Sequence, residues 1–169
     1  MGPILESVKP TADTVQTAIG QKKAFRNASQ EGVIALLLAA EVVRWRVTQL
    51  VEAKGQITFQ QYNVLRILRG AGEAGLPTLA IGERMIEHTP GITRLLDRLE
   101  EKGLVTRERS DEDKRQVLCR VTARGRKLVD ELDGPMDDLD DESLACLTKG
   151  ELATLIELTN RIRKEGSRS

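Results

Sequence analysis

Between Ala28 and Ala53 the apolar residues Val33, Leu36, Leu37, Ala40, Val43, Val47, Leu50 and Val51 recur at the three- and four-residue spacing of a helical face. Leu38, Val42 and Trp45 carry that stripe onto a second side. A helix apolar on two sides in so short a chain predicts a partner subunit against it. Thr58-Phe59-Gln60-Gln61 has the form of a capping box, with Thr58 as N-cap and Gln61 three residues on. The helix it opens carries Tyr62, Leu65 and Leu68 on one face and stops at Gly70-Ala71-Gly72. Gly75-Leu76-Pro77 is a break, and a short helix follows from Thr78 to Met85. Thr89 as N-cap and Pro90 as first helical residue then begin a helix running Gly91 to Lys102. It buries Ile92, Leu95, Leu96 and Leu99 and closes on Gly103.

The period then changes. Leu104 to Arg109 has strand composition, and Val117, Cys119 and Val121 alternate as on one face of a second strand. Between them stand five consecutive charges of both signs, Asp111 to Arg115, without the Asn-Gly or Asp-Gly of a tight two-residue turn. The pattern predicts a hairpin with a charged tip. Thr122 caps a helix through Leu132; Asp133-Gly134-Pro135 ends or kinks it, and the acidic stretch to Leu147 continues it as helix. Thr148-x-x-Glu151 is a second capping box, opening a helix with Leu152, Leu155, Ile156 and Ile162. Residues 1–26, with Pro3, Pro10 and Gly20, read as an arm.

Composition narrows the function classes. The 169 residues suit one ordinary domain with a real core. Aromatics at 2% argue against an aromatic-lined groove for sugars or single strands. One histidine, and two cysteines with no CxxC, argue against a Cys/His metal site; no metal and no cofactor is expected. Nothing pairs a nucleophile with a base and no Gly-rich phosphate loop is present, so the chain is not expected to be an enzyme. No apolar run approaches the roughly 20 residues of a membrane span. No secretory signal is recognisable, and the expected location is cytoplasmic. Charge sums to zero but is uneven: Arg84 to Lys127 holds twelve Lys/Arg against eight Asp/Glu, whereas Leu128 to Leu147 holds eight Asp/Glu and no cation. A basic surface beside an acidic one is a polyanion hint, although such blocks are also the ordinary make-up of solvated faces.

Two helices joined by a short turn, the second running into a two-stranded hairpin, make a winged helix-turn-helix. The fold class expected is mainly α with a small β-hairpin wing. The second helix of such a unit enters the major groove by its N-terminal end. Thr89, Thr93, Arg94 and Arg98 lie near a common face opposite the leucine stripe, with Gly91 leaving room for close approach. Threonine contacts bases or phosphates, arginine bonds guanine bidentately, and a helix N-terminus favours phosphate. At the wing, Arg115 is the natural minor-groove probe with Lys114 beside it, and Asp111 and Asp113 orient the cations by ion pairs. A plainer reading fits the same spacing: Arg94 and Arg98 facing solvent beside Asp97 and Glu101, and Arg115 with Asp111 as a structural turn.

Residues from about Thr58 to Leu132 resemble the MarR family of bacterial transcriptional regulators. The resemblance is carried by ITFQQYNVLRIL (Ile57–Leu68), ITRLLDRLEEKGLV (Ile92–Val105) and RSDEDKRQVLCRVTARG (Arg109–Gly125). It implies a homodimer held by the N- and C-terminal helices, with two winged lobes on a roughly palindromic site of double-stranded DNA. The half-site centres then lie about 34–36 Å apart. It implies residues 1–26 as an N-terminal arm, 27–57 and 123–169 as the dimerisation region and 58–122 as the DNA-binding lobe. Thr93, Arg94 and Arg98 match the family's recognition helix, and Asp113 and Arg115 its wing pair. The helix start IEHTPG (Ile86–Gly91) departs from the family's usual Ser-rich start, and His88 within it has three readings: base contact, pH sensing or plain exposure.

Members are more often repressors than activators, and an effector often binds between the dimer-forming helices and the lobe. A small aromatic or phenolic effector is the partner class implied. Trp45, Arg46, Gln49 and Tyr62 are its candidate lining, with Arg46 facing a carboxylate; packing in the core or interface is the other reading of Trp45 and Tyr62. Two alternatives stay beside this one. One is a winged-helix protein–protein interaction module using the acidic stretch 130–142. The other is a thiol-based redox regulator using Cys119 or Cys146, although Cys119 is expected in the wing's packed face and no cysteine lies in the first long helix.

Overall fold

The computed structural model describes residues 14–87, 91–109 and 116–166. Contacts group the chain into two compact units, residues 1–45 and 46–169. In the first unit a short helix α1 (Val15–Ala18) is capped by Thr14, whose hydroxyl accepts from the Thr17 amide. The long helix α2 (Ala28–Gly55) starts in this unit and ends in the second. Asn27 caps it: Asn27 Oδ1 accepts from the Gln30 amide at 2.9 Å, and Gln30 Oε1 accepts from the Arg26 amide at 3.0 Å. Each bond satisfies a donor that the helix start would otherwise leave open. No described residue of this unit is buried, and Val33, Leu37, Val42 and Trp45 each expose 58% or more of their surface.

The second unit holds the core. Helix α3 (Phe59–Ala71) opens on the expected capping box: Thr58 Oγ1 accepts from the Gln61 amide and Gln61 Oε1 from the Thr58 amide. A 3-10 turn (Gly72–Ala74) leads to a strand of two residues, β1 (Leu76–Pro77), and then to α4 (Thr78–Arg84). Helix α5 (Ile92–Glu101) follows, then β2 (Val105–Arg109) and β3 (Val117–Val121). The sheet has three strands in the order β1-β3-β2, all antiparallel, with Val105 opposite Val121 and Leu76 opposite Cys119. The pattern predicts a hairpin alone. A two-residue strand has no legible period, and only its partner makes it one.

Helix α6 (Ala123–Leu144) is capped by Thr122 as expected, and the capping box of α7 (Lys149–Gly166) forms between Thr148 and Glu151. The helix does not end at Pro135. Proline's fixed φ suits a helix and its cost falls on one turn, while Val129, Leu132 and Met136 bury a continuous face that holds both halves in line. The core gathers Val51, Leu65 and Leu68 from α2 and α3, Leu96 and Leu99 from α5, and Val129 and Leu132 from α6, none more than 1% exposed.

Helix α3 is tied to α6 by charge as well. Arg69 donates from Nη1 to Asp130 Oδ1 and Asp133 Oδ2, both at 2.7 Å, and from Nη2 to Asp133 Oδ1 at 2.9 Å. These bonds from Arg69 hold the Asp133 carboxyl below its ordinary value. A lowered folded value contributes stability above the unfolded pKa, and that contribution fades as pH falls through the folded one. Because Asp133 is 46% exposed, solvent screening keeps it to about 1 kcal/mol or less. In urea unfolding, the protein is expected to exceed Asp133→Asn in stability at neutral pH. The gap should begin to close below about pH 4. A gap independent of pH removes the ion pair as its cause.

Candidate nucleic-acid interface

The buried stripe of α5 dictates what its other faces offer. Leu96 and Leu99 are fully buried, which turns Thr93, Arg94 and Arg98 outward as exposed side chains. The helix ends in a Schellman arrangement: the Gly103 amide donates to Glu100 O at 2.8 Å and the Leu104 amide to Leu99 O at 2.9 Å. Gly103, at φ +67°, is the residue that this left-handed exit favours. The exit delivers the chain straight into β2.

Asp97, an acidic neighbour of the two arginines, has another partner. Arg107, on β2, reaches Asp97 Oδ1 at 2.7 Å and Glu100 Oε2 at 2.6 Å, stapling the wing's first strand to α5. Those bonds hold the Arg107 guanidinium above its ordinary pKa, with the Glu100 bond the largest cause. Asp97 therefore belongs to Arg107, and among the described residues neither Arg94 nor Arg98 has an ion-pair partner. Of the plainer reading, the exposure of both arginines holds, while Asp97 is engaged by Arg107 and not by either of them. Two uncommitted guanidinium groups one helical turn apart are suited to base edges and phosphates.

The start of α5 differs from the expected one. The N-cap is Gly91, in the left-handed region at φ +94°, and the first helical residue is Ile92, not Pro90. His88, Thr89 and Pro90 lie outside the described residues, as do Asp111, Asp113, Lys114 and Arg115. The last described pair of the wing is Arg109 opposite Val117. Arg109 is exposed, with no ion pair to another described residue, and is a cation that strand composition alone does not single out.

The four residues expected to line an effector pocket are not brought together in either of two surface clefts. One cleft, of about 590 Å³, is lined among others by Ile57, Lys102, Arg124 and Lys127; the other, of about 460 Å³, lies on α3 and α4. Arg46 is engaged on α6, donating to Ser143 Oγ at 3.0 Å and to Glu142 Oε2 at 3.1 Å. Tyr62 is only 2% exposed; burial pushes its phenol pKa up, and the Arg66 guanidinium lies 5.7 Å from its ring centre. Gln49 and Trp45 are exposed. Spacing along the chain does not disclose that α6 supplies the partner of Arg46. Cys119 is fully buried as expected, its thiol pushed up by burial, while Cys146 is exposed.

Residues 57–117 match the MarR family. The chain is 32% identical over 111 residues to the uncharacterized HTH-type transcriptional regulator YpoP of Bacillus subtilis (strain 168), spanning 65% of this chain and 77% of that protein. Among solved structures, the MarR transcription factor from Planctomyces limnophilus is 34% identical with a TM-score of 0.61, covering 81% of this chain and 98% of that one. The MepR–DNA complex from S. aureus superposes with a TM-score of 0.71 at 21% identity, covering 84% and 99%. At that identity the likeness is one of fold.

Proposed function

The chain belongs to the MarR family, and from that premise we propose that it regulates transcription by binding a palindromic duplex site as a homodimer. Repression is the sign we propose, with release by a small aromatic or phenolic ligand. The observation that carries the reading is the outward face of α5, where Thr93, Arg94 and Arg98 stand exposed while Asp97 and Glu100 are engaged by Arg107. Arg109 at the wing's mouth extends the cationic surface, and Arg115 and Lys114 are the proposed contacts beyond it, oriented by Asp111 and Asp113. The MepR complex is evidence that the fold is used on DNA in that protein.

Dimerisation has support of its own. Helix α2 exposes Val33, Leu37, Val42 and Trp45, and α7 exposes Ile156, Leu158 and Ile162, large apolar groups that favour burial against a second copy. Light scattering of the purified chain is expected to give twice its 18.7 kDa mass.

The decisive test is selection of binding sites from a random duplex pool. An inverted repeat with half-site centres about 34–36 Å apart is the expected enrichment. Background retention with no enriched motif overturns the reading and leaves the acidic-surface interaction module in its place. With the selected duplex, Arg115→Ala is expected to weaken binding by about 1–3 kcal/mol. Unchanged affinity removes the wing from the interface.

A further inference from the structure

Helix α2 ends at Gly55 and α3 begins at Phe59, so the chain turns between them at Gln56 and Ile57. Gln56 stands at φ +52°, in the left-handed region, and among the described residues no other non-glycine has a positive φ. Glycine is the residue that this conformation favours, and a side chain with a Cβ adopts it at an energetic cost. A glycine stands one position earlier, where packing claims it: a Cβ at Gly55 would lie 3.2 Å from Ile57 Cγ1 and 3.3 Å from Leu132 Cδ1. Ile57 and Leu132 are 3% and 1% exposed. The core therefore fixes both sides of the joint, and the left-handed step falls on Gln56.

One bond answers that strain from far along the chain. Lys102 Nζ donates to Gln56 O at 2.7 Å. A charged donor makes the stronger kind of hydrogen bond, and the carbonyl it takes belongs to the strained residue itself. Lys102 is the C-cap of α5 and stands one turn beyond Arg98. A helix-turn-helix presents the N-terminal end of its second helix to the major groove, so the tie holds the opposite end.

We propose that Lys102 is a positioning residue for DNA recognition: its ammonium on the Gln56 carbonyl locks the left-handed joint between α2 and α3 and so sets the angle at which α5 meets the duplex. Without the ammonium, the joint relaxes toward ordinary glutamine backbone and the trailing end of α5 loses its anchor. The positioning role rests on the DNA-binding reading above; the lock does not. Strain and tie act as a pair, so removing the strain makes the tie dispensable.

The test sets Lys102→Met, which keeps an apolar stem, against Gln56→Gly, which accepts a positive φ freely and keeps the carbonyl. On the selected duplex, Lys102→Met is expected to bind about fivefold more weakly, with the salt slope unchanged. Gln56→Gly alone should bind as the unsubstituted chain does, and Gln56→Gly combined with Lys102→Met should recover most of the loss. A slope lowered by about one makes Lys102 a phosphate contact and overturns the positioning role. Unchanged affinity of Lys102→Met does the same, as does a double variant no tighter than the single one. Without DNA, amide exchange reads the lock directly. The Gln56 amide donates to Glu52 O at 3.1 Å. In Lys102→Met its protection is expected to fall about fivefold, and the double variant should regain it at that position. Unchanged protection in Lys102→Met overturns the lock. Should the site selection enrich nothing, the positioning role falls with the DNA-binding reading, while the exchange result still decides the lock.

Discussion

Loss of both uncommitted guanidinium groups from α5, in Arg94→Ala combined with Arg98→Ala, is expected to abolish discrimination between the selected duplex and random DNA. A bidentate arginine–guanine contact is worth about 1–3 kcal/mol of discrimination, which is roughly 5- to 150-fold per residue. The expectation depends on the sorting of charge by the fold. Had Asp97 paired with Arg94 or Arg98, each arginine would have to leave a carboxylate to reach DNA. The structure gives that carboxylate to Arg107 instead, so no such cost is incurred. Salt titration separates two roles. An arginine on phosphate lowers the salt slope by about one per contact and weakens all sequences alike, whereas an arginine on a base edge leaves the slope and relaxes one position. Unchanged affinity and slope in the double variant remove α5 from the interface.

A second large effect is expected far from DNA. Gly125→Ala should destabilise the protein by about 2–3 kcal/mol, through overpacking against backbone. A Cβ at Gly125 lies 2.2 Å from Leu104 O and 2.9 Å from Val121 Cγ2. That carbonyl cannot simply withdraw, because it accepts from the Thr122 amide at 3.0 Å. Thr122 also donates to Gly103 O at 2.9 Å and accepts from the Gly125 amide at 3.0 Å. The start of α6, the exit of α5 and the first residue of the wing thus meet at one knot. At about 2–4 °C per kcal/mol for a chain of this size, the thermal midpoint should fall by about 4–12 °C. Gly70→Ala is the contrast: the site is exposed in α3 with nothing within 4 Å of a Cβ. There the helix propensity of alanine should add up to about 1 kcal/mol. Equal effects of the two substitutions would show that the contact at Leu104 O does not govern the first.

Much of this architecture is written locally. Both capping boxes, at Thr58 and Thr148, and the Thr122 cap need only residues three positions apart, so their chemistry is legible in order along the chain. The leucine stripe of α5 likewise shows which residues must face out, and Thr93, Arg94 and Arg98 follow from it. The start of the same helix was less legible. Thr89 and Pro90 carry the stronger local signal, yet helical geometry begins at Ile92 after a left-handed Gly91.

Sequence by itself determined the order of elements, the winged helix-turn-helix and the outward face of the recognition helix, because period and capping are local and repeat over many residues. The tertiary structure alone decided which charge answers which: Arg107 takes Asp97 and Glu100, Arg69 takes Asp130 and Asp133, and Arg46 takes Glu142. It also decided that Leu76 and Pro77 form a third strand, and that Asn63 Nδ2 is buried with no acceptor among the described residues. The physical reason is common to all of these. An ion pair, a strand pairing and an open donor are relations between residues distant along the chain, and they exist only once the buried apolar faces have brought their helices and strands together.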